Sequence, residues 1–356
     1  MSVSQELTIK NILTDAVKRG VSDIHFSVGN NPILRIDDVL IPLDDQAVIT
    51  QEFMQELVDF LLDDNQKNKL LTNREIVLAY NFDNKLRFKI NIFYQRGFLS
   101  VSLRYIPQQV PTLESLKLNS LLFDLVKNKN GLIIVSGPFG SGRSTTVAAL
   151  IEEINRQRRE YIITIEDPIE YIFNNNKSII EQREVGLDTN SYEEALKYFE
   201  EEDGDILFLE EMNKPEVIPA VLEIARGSSL VFSTISADSA SNTIARILDM
   251  FPAYDQERIR DLLATALRAV ICQKVIPKIG GGVVVVQEVL VTNEAIKSVI
   301  ANGNIVGLDD IIQTSRSEGM VSFNYSLAKL VEAMEISRAD ALANATDQKL
   351  LASFLK

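Results

Sequence analysis

From residue 132 onward, short and almost wholly apolar runs alternate with stretches of helical periodicity. The runs are Leu132–Val135, Tyr161–Ile165, Ile206–Leu209 and Leu230–Phe232. A run without polar alternation is typical of a strand buried on both faces, and helices between such strands produce parallel βαβ units. The second part of the chain is therefore predicted to be a doubly wound α/β domain.

A glycine-rich turn follows the first of these runs. Its residues are Gly137, Pro138, Phe139, Gly140, Ser141, Gly142, Arg143, Ser144 and Thr145. They fit the pattern G-x-x-x-x-G-K-[ST], with arginine in place of lysine. Glycines allow backbone N–H groups to close around phosphate oxygens, and the helix that begins here directs the positive end of its dipole to the same place. The turn predicts a triphosphate site in which the Ser144 hydroxyl holds Mg²⁺; a strand-to-helix turn without a ligand is the alternative.

The first 106 residues have a different pattern. An amphipathic helix ends before Gly20, two β-type runs flank the turn-forming cluster Gly29–Pro32, and further β-type runs lie between residues 75 and 105. This order predicts a small α+β domain over residues 1–106. Residues 107–114 contain two prolines and little periodicity, which predicts a linker, and residues 115–356 then form the second domain.

The sequence from about residue 255 is mostly helical. The helical pattern is interrupted at Ile276–Val291, where Gly280–Gly282 separate two β-type stretches as in a hairpin. The single cysteine, Cys272, follows three apolar residues. We interpret that context as helical and the thiol as buried, and one cysteine cannot form an internal disulfide.

Charge and hydropathy limit the partners. The formal net charge of −14 opposes binding to a polyanion, so we expect no nucleic-acid partner. No apolar run approaches the roughly 20 residues of a membrane helix, and the first 20 residues lack the apolar stretch of a signal peptide. The expectation is a cytoplasmic protein without direct membrane insertion.

An ordered series of motifs resembles the PilT-type retraction ATPases of the type II/IV secretion ATPase superfamily. The series is Ser22–His25, the Walker A segment Gly137–Thr145, the acidic box Ile163–Tyr171, Glu181–Val185, the Walker B place Asp205–Met212, Ile279–Gly282 and Gly319-Met320. It spans almost the whole chain. Several motifs in a fixed order are more specific than any one of them.

This resemblance implies a fold and an assembly. The fold is a PAS-like N-terminal α+β domain followed by a RecA-like P-loop NTPase domain with a helical C-terminal part. The implied cofactors are ATP and Mg²⁺, and the implied assembly is a homo-hexamer or a mixed ring with a paralogous ATPase. Such a ring would work at an inner-membrane pilus platform protein, peripheral to the membrane, and drive pilus retraction.

The resemblance also implies roles for two acidic residues. Glu166 matches the carboxylate that activates the attacking water, and Glu211 matches the Walker B glutamate beside Mg²⁺, which it would share with Ser144. Phosphoryl transfer needs such a positioned water and neutralised charge. Glu166 and Asp167 end an apolar strand and Pro168 prevents a simple continuation of the ladder, so both carboxylates are predicted to emerge at the strand's edge. Solvated loop acids are the alternative.

Basic residues of the N-terminal domain carry a further implication. Arg96 and Arg104, together with Arg87 and Lys89, lie in the region from which the family extends arginines toward phosphate. Their alternative is a solvated strand face. We therefore treat Arg96 and Arg104 as candidate phosphate ligands.

Several positions depart from the family pattern. Arg143 replaces lysine, Glu210 replaces glycine, Asn213 replaces arginine, and Ser229 and Ser236 replace two histidines. A guanidinium is wide and planar where an ammonium is compact, and a serine cannot carry charge near neutral pH. These changes predict weakened ATP hydrolysis. A working retraction motor and a non-catalytic ring subunit both stay open.

Overall fold

The computed structural model describes residues 3–36, 39–82 and 85–355. The chain divides into two compact units, of which the first is Met1–Gln109 with Pro168–Ile172 and the second is Val110–Asp167 with Phe173–Lys356. The outer ends of the two predicted domains, Met1 and Lys356, lie outside the described residues. The return of Pro168–Ile172 to the first unit has no counterpart in the sequence pattern.

Within residues 3–36, 39–82 and 85–109, the first unit contains a six-stranded antiparallel sheet and three helices. Its helices are α1 Val3–Lys18, α2 Gln51–Leu61 and α3 Asp64–Asn73, and its strands are β1 Asp23–Ser27, β2 Ile33–Ile36, β3 Val39–Pro42, β4 Glu75–Phe82, β5 Leu86–Gln95 and β6 Phe98–Ile106. The strand order is β3-β2-β1-β6-β5-β4. Alternate residues of β5, namely Phe88, Ile90 and Ile92, are fully buried. A period of two on one face is what an antiparallel sheet with one covered face requires.

Local sequence sets the helix starts in this unit. The Thr50 side chain accepts a hydrogen bond from the Phe53 backbone N–H at the start of α2, and Asp63 forms a capping box with Gln66 at the start of α3. Such caps satisfy amides that have no partner within the helix. The element boundaries therefore follow from short polar signals.

The second unit contains a seven-stranded sheet in the order β13-β12-β7-β11-β10-β8-β9. Its strands are β7 Gly131–Ser136, β8 Tyr161–Glu166, β9 Ile179–Glu184, β10 Ile206–Leu209, β11 Leu230–Ile235, β12 Leu267–Pro277 and β13 Val283–Val291. All neighbours are parallel except the β12–β13 pair. The four apolar runs became the strands β7, β8, β10 and β11, so the predicted α/β fold is confirmed.

Helices cover both faces of this sheet. They are α4 Leu122–Leu125, α5 Arg143–Gln157, α6 Tyr192–Tyr198, α7 Ile218–Arg226, α8 Ala240–Asp249, α9 Ala253–Ala266, α10 Glu294–Ala301, α11 Leu308–Thr314, α12 Phe323–Glu332, α13 Arg338–Asn344 and α14 Gln348–Phe354. Leu132 and Ile134 of β7 belong to one apolar core, whereas Ile133 and Val135 belong to another. Successive strand residues point to opposite faces, so β7 must be apolar throughout.

The helical context predicted for Cys272 is wrong, because Cys272 lies in strand β12. This strand pairs with β7 on one side and with β13 on the other, and it is buried on both faces. An uninterrupted apolar run has no periodicity that separates a buried strand from a buried helix. The β-structure near the C-terminus thus begins at Leu267 rather than at Ile276. The thiol is buried as predicted, and burial raises its pKa to about 12.

The glycines of the predicted hairpin form its turn. Gly280, Gly281 and Gly282 have φ angles of 90°, 102° and 75°, a region that favours glycine. Across residues 3–36, 39–82 and 85–355, no helix has both the length and the apolar character to cross a bilayer.

Candidate functional site

The glycine-rich turn lies where β7 ends and α5 begins. Gly137 has φ 154°, and a Cβ atom there would lie 2.4 Å from both the Gln273 carbonyl oxygen and the Ser141 hydroxyl oxygen. Gly140 and Gly142 have φ 79° and 81°, in the left-handed region. A side chain at Gly137 is excluded by space, and one at the other two positions is disfavoured by backbone geometry. Side chains are therefore excluded or disfavoured at these three positions, so none covers the backbone there.

The first turn of α5 is available to an anion. Gly142 occupies the N-cap position and provides no side-chain acceptor to the helix amides. Backbone N–H groups at a helix start carry partial positive charge and bind phosphate oxygens in the absence of a cap. Phe139, at the outer edge of the turn, is 81% exposed. This geometry fits the predicted phosphate cradle.

The sequence pattern missed Gln273, which supports the turn from below. This side chain is fully buried on β12; its amide nitrogen donates to the Ser141 carbonyl oxygen at 2.6 Å, and its amide oxygen accepts from the Thr146 hydroxyl at 2.9 Å. Thr146 lies on α5, so one side chain ties the turn to the helix that follows it. The signal in the sequence was a polar amide directly after the apolar run Ala269–Cys272.

The candidate water-activating carboxylate lies at the same edge of the sheet. Glu166 ends β8 and is 4% exposed, and it accepts hydrogen bonds from the Thr164 hydroxyl at 2.6 Å and the Gln182 amide at 3.2 Å. Gln182 pairs with Thr164 across β8 and β9. The alternative of a solvated loop acid is therefore wrong for Glu166. Two donors fix the orientation of its side chain.

The Walker B residues follow β10, the neighbour of β8. The Glu210 carboxylate accepts a hydrogen bond from the backbone N–H of Asp167. Glu210 thus has a structural role that the small residue expected there could not have. It ties the end of β10 to the turn after Glu166.

Glu211 faces the helix that begins at the turn. Its Oε1 lies 4.0 Å from Nη1 of Arg143, and its Oε2 accepts from the Asn213 amide at 3.0 Å. The Arg143 side chain is 18% exposed and that of Glu211 38%. The structure therefore brings the predicted Walker A and Walker B residues together, but as a charge pair.

Tyr192 on α6 lies near several negative charges at this edge of the sheet. Burial raises the pKa of its hydroxyl far above the ordinary range, and the nearby charges of Glu210, Asp167, Glu211 and Glu166 raise it further. Four carboxylates thus lie close to one side chain. Negative charge at this density opposes an anionic ligand unless cations compensate it.

Comparison with known proteins identifies the family. The family model described as "Type II/IV secretion system protein" matches residues 2–282, well over half of the chain. The chain belongs to this family. The type IV pilus retractation ATPase PilT of Pseudomonas aeruginosa is 35% identical over 340 residues, which are 94% of this chain and 97% of the relative. The type IV pilus ATPase PilU of the same organism is 32% identical and covers 98% of this chain, and 92% of that relative is matched.

A solved structure agrees with these relatives. The crystal structure of the pilus retraction motor PilT with bound ADP superposes with a TM-score of 0.84 at 37% identity, covering 96% of this chain and 98% of that one. The predicted resemblance to PilT-type ATPases is therefore confirmed. So is the fold of an N-terminal domain followed by a P-loop ATPase domain.

Ser229 and Ser236, the two serines at positions where the family pattern predicts histidines, lie at opposite ends of β11 in this chain. Ser236 follows its carboxyl end, next to the register position of Ser136 before the turn. Ser229 precedes its amino end and donates to the Gly204 carbonyl oxygen at 3.1 Å. At about 3.3 Å per residue, the strand separates the two serines by roughly 20 Å. Only Ser236 lies at the edge of the sheet that holds the turn.

Three of the four candidate basic residues, Arg87, Lys89 and Arg104, have partners within the first unit. Arg104 pairs with Asp23 at 3.0 Å across β6 and β1, and Arg96 lies at the β5–β6 turn with φ 54°. Arg87 donates to the carbonyl oxygens of Ile169 and Glu170. The role of Arg96 and Arg104 as phosphate ligands stays a prediction.

Lys89 completes the contact between β5 and the returning segment Pro168–Ile172. Its ammonium lies 2.8 Å from the Glu170 carboxylate, and the two side chains are 27% and 20% exposed. Together with Arg87, it explains why this segment clusters with the first unit. The alternative of a purely solvated strand face is wrong for these two residues.

Proposed function

We propose that this chain is a nucleotide-binding ATPase-family subunit of type IV pilus machinery, with weakened ATP hydrolysis. The turn at Gly137–Gly142 carries the proposal, because side chains are excluded or disfavoured at its glycines, no side chain caps the start of α5, and Gln273 holds the turn in place. Membership of the secretion family and similarity to PilT and PilU over nearly the full length support the pilus assignment.

In this proposal the nucleotide phosphates bind residues Gly137–Thr145. The backbone N–H groups of the turn and of the first turn of α5 donate hydrogen bonds to the phosphate oxygens, and Arg143 adds a fixed positive charge. The solved structure of PilT contains bound ADP, which supports nucleotide binding by this chain.

Ser144 and Glu211 are the residues that would hold Mg²⁺. A hydroxyl at the second position of α5 and a partly exposed carboxylate are the hard oxygen ligands that Mg²⁺ prefers, so the donor types fit the ion. Bound there, Mg²⁺ would neutralise charge on the β- and γ-phosphates. Arg143 also lies beside Glu211, and this neighbour distinguishes the site from one with lysine.

Glu166 is the proposed general base. It lies at the end of β8, and hydrogen bonds from Thr164 and Gln182 hold its carboxylate there. A water held there would lose its proton to this carboxylate as it attacked the γ-phosphate. The proposed weakening arises from positioning rather than from loss of this base.

The assembly is part of the proposal. A PAS-like domain over residues 1–106, a linker over 107–114 and a RecA-like domain over 115–356 would form a homo-hexamer or a mixed ring with a paralogous ATPase. The ring would bind an inner-membrane pilus platform protein from the cytoplasm, with Arg96 and Arg104 directed to phosphate. No nucleic-acid partner and no direct membrane insertion are expected.

A non-catalytic ring subunit is the second candidate. The observation that favours it is the Arg143–Glu211 pair, which places the Walker B carboxylate against a guanidinium. Such a subunit would bind nucleotide and join a ring without turnover.

Titration with a fluorescent ATP analogue, followed by a phosphate-release assay on the same preparation, tests these proposals. The motor proposal expects saturable binding and slow release of phosphate that Glu166→Gln abolishes. Saturable binding with release no faster than that of Glu166→Gln would leave the non-catalytic subunit. Absence of binding would contradict both proposals.

A further inference from the structure

Arg143 and Glu211 lie opposite each other at the glycine-rich turn, without a hydrogen bond between them. The closest atoms, Nη1 and Oε1, are 4.0 Å apart. Nη1 is shielded from solvent and has no hydrogen-bond partner among the residues that the structure describes. A shielded guanidinium nitrogen without an acceptor is costly, so this atom is positioned for an acceptor that a ligand brings.

Glu211 is the carboxylate that the proposed function assigns to a divalent cation. A guanidinium is permanently charged and presents a fork of donors that suits a carboxylate or a phosphate. A divalent cation at the same carboxylate would have to share it with this neighbour, and two cations so close repel each other. The charge that Glu211 needs is already supplied by the chain.

The positive charge of Arg143 lies among several carboxylates. Glu166, Asp167, Glu210 and Glu211 all lie near Tyr192, so this edge carries several negative charges. Without a cation beside Glu211, the phosphates of a nucleotide would face one more uncompensated carboxylate. Arg143 removes that repulsion whether or not a metal ion is present.

We infer that Arg143 compensates the charge of Glu211 when no divalent cation is bound there, so that a nucleoside diphosphate binds this chain with little dependence on Mg²⁺. The inference rests on the proposed function, since it requires nucleotide in the turn. It assigns to Arg143 a specificity that a lysine would not provide, because a compact ammonium between the phosphates leaves Glu211 free for the metal.

The experiment is a titration of the full chain with a fluorescent ADP analogue in excess Mg²⁺ and in excess EDTA. For the wild type, the two dissociation constants should agree within about threefold. In Arg143→Lys, Mg²⁺ should tighten binding by about tenfold or more, because Glu211 becomes available. The double variant Arg143→Lys/Glu211→Gln should lose this Mg²⁺ dependence again.

Arg156→Lys is the matched control. It makes the same exchange on the same helix, at a half-exposed side chain whose carboxylate neighbour is Glu153. It should reproduce the weak Mg²⁺ dependence of the wild type. Should Arg143→Lys fail to fold by circular dichroism, Arg143→Gln is the substitute, and it too should become Mg²⁺-dependent.

Two outcomes overturn the inference. If Mg²⁺ tightens wild-type binding as strongly as it does in the Arg143 variants, the inference is wrong while the proposed function stands. If the wild type binds no ADP analogue in either condition, the proposed function is wrong and the inference with it.

Discussion

Glu210 adds a carboxylate to an edge of the sheet where Glu166, Asp167 and Glu211 already lie. Its charge opposes phosphate binding, but its oxygen also accepts the backbone N–H of Asp167. The first effect comes from the negative charge of the Glu210 side chain, and the second comes from its oxygen as a hydrogen-bond acceptor. A substitution that keeps the acceptor and removes the charge separates them.

Glu210→Gln should therefore tighten nucleotide binding. Loss of one partly screened negative charge near the phosphates is worth about 1 kcal/mol, or roughly fivefold in the dissociation constant. Calorimetric titration with ADP measures the change. Glu223→Gln, which removes a half-exposed carboxylate paired with Arg226, is the control and should leave the affinity unchanged. Equal or weaker binding by Glu210→Gln would contradict the electrostatic argument.

Gln273 links strand β12 to the glycine-rich turn and to helix α5. The amide makes two buried hydrogen bonds, to the Ser141 carbonyl oxygen and the Thr146 hydroxyl. Removal of one buried partner leaves the other group unsatisfied, which costs more than the bond itself contributes. The turn therefore depends on a residue more than 120 positions away in the chain.

Gln273→Met keeps the volume and removes both bonds. We expect the free energy of unfolding to fall by about 2–4 kcal/mol, with nucleotide affinity reduced by about tenfold or more. Urea unfolding and ADP titration measure the two effects. Gln287→Met, at a buried amide of β13 that accepts from the Asn119 backbone N–H, is the control. It should reduce stability without reducing affinity, and equal losses of affinity in both variants would show a general effect of destabilisation.

Strand β13 places a carboxylate where two helices begin. Burial raises the pKa of Glu288 to about 7, and the charge of Asp309 acts in the same direction, whereas hydrogen bonds from the backbone N–H groups of Ala240 and Phe323 and the charge of Lys274 oppose the rise. A carboxyl whose pKa is higher in the folded state binds its proton more tightly there. Its contribution to stability is complete below about pH 4.5 and is lost as pH rises through 7.

Comparison with Glu288→Gln isolates this contribution. Between pH 4.5 and 7.5 the wild type should lose about 3 kcal/mol of unfolding free energy relative to the variant, following from a shift of about 2.5 pH units. Urea unfolding of both proteins across this range is the measurement. A difference between the two proteins that does not change with pH would contradict a raised pKa for this carboxyl.

Over the whole molecule, the parallel sheet and the glycine-rich turn could be predicted because their signals are local. Buried strands are apolar throughout, and the turn requires glycines at fixed spacing. Gln273 and the segment held by Arg87 were missed because they depend on contacts between distant parts of the chain. Cys272 was placed in a helix because burial on both faces removes the period of two.

Assembly into a ring of six would determine the mass of the protein in solution. A ring of six 39.9 kDa chains would have a mass of about 240 kDa. Light scattering of the purified full chain with ADP should show this mass. A monomer at every protein concentration tested would contradict a homo-hexamer, and a mixed ring would then require the paralogous ATPase.

We propose that the turn between β7 and α5 holds the phosphates of a nucleotide. A co-crystal grown with saturating ADP would show whether it does. We expect density for the β-phosphate against the backbone amides of residues 139–144, with the Arg143 side chain beside it. An empty turn at full occupancy of ADP elsewhere, or no ADP at all, would contradict it.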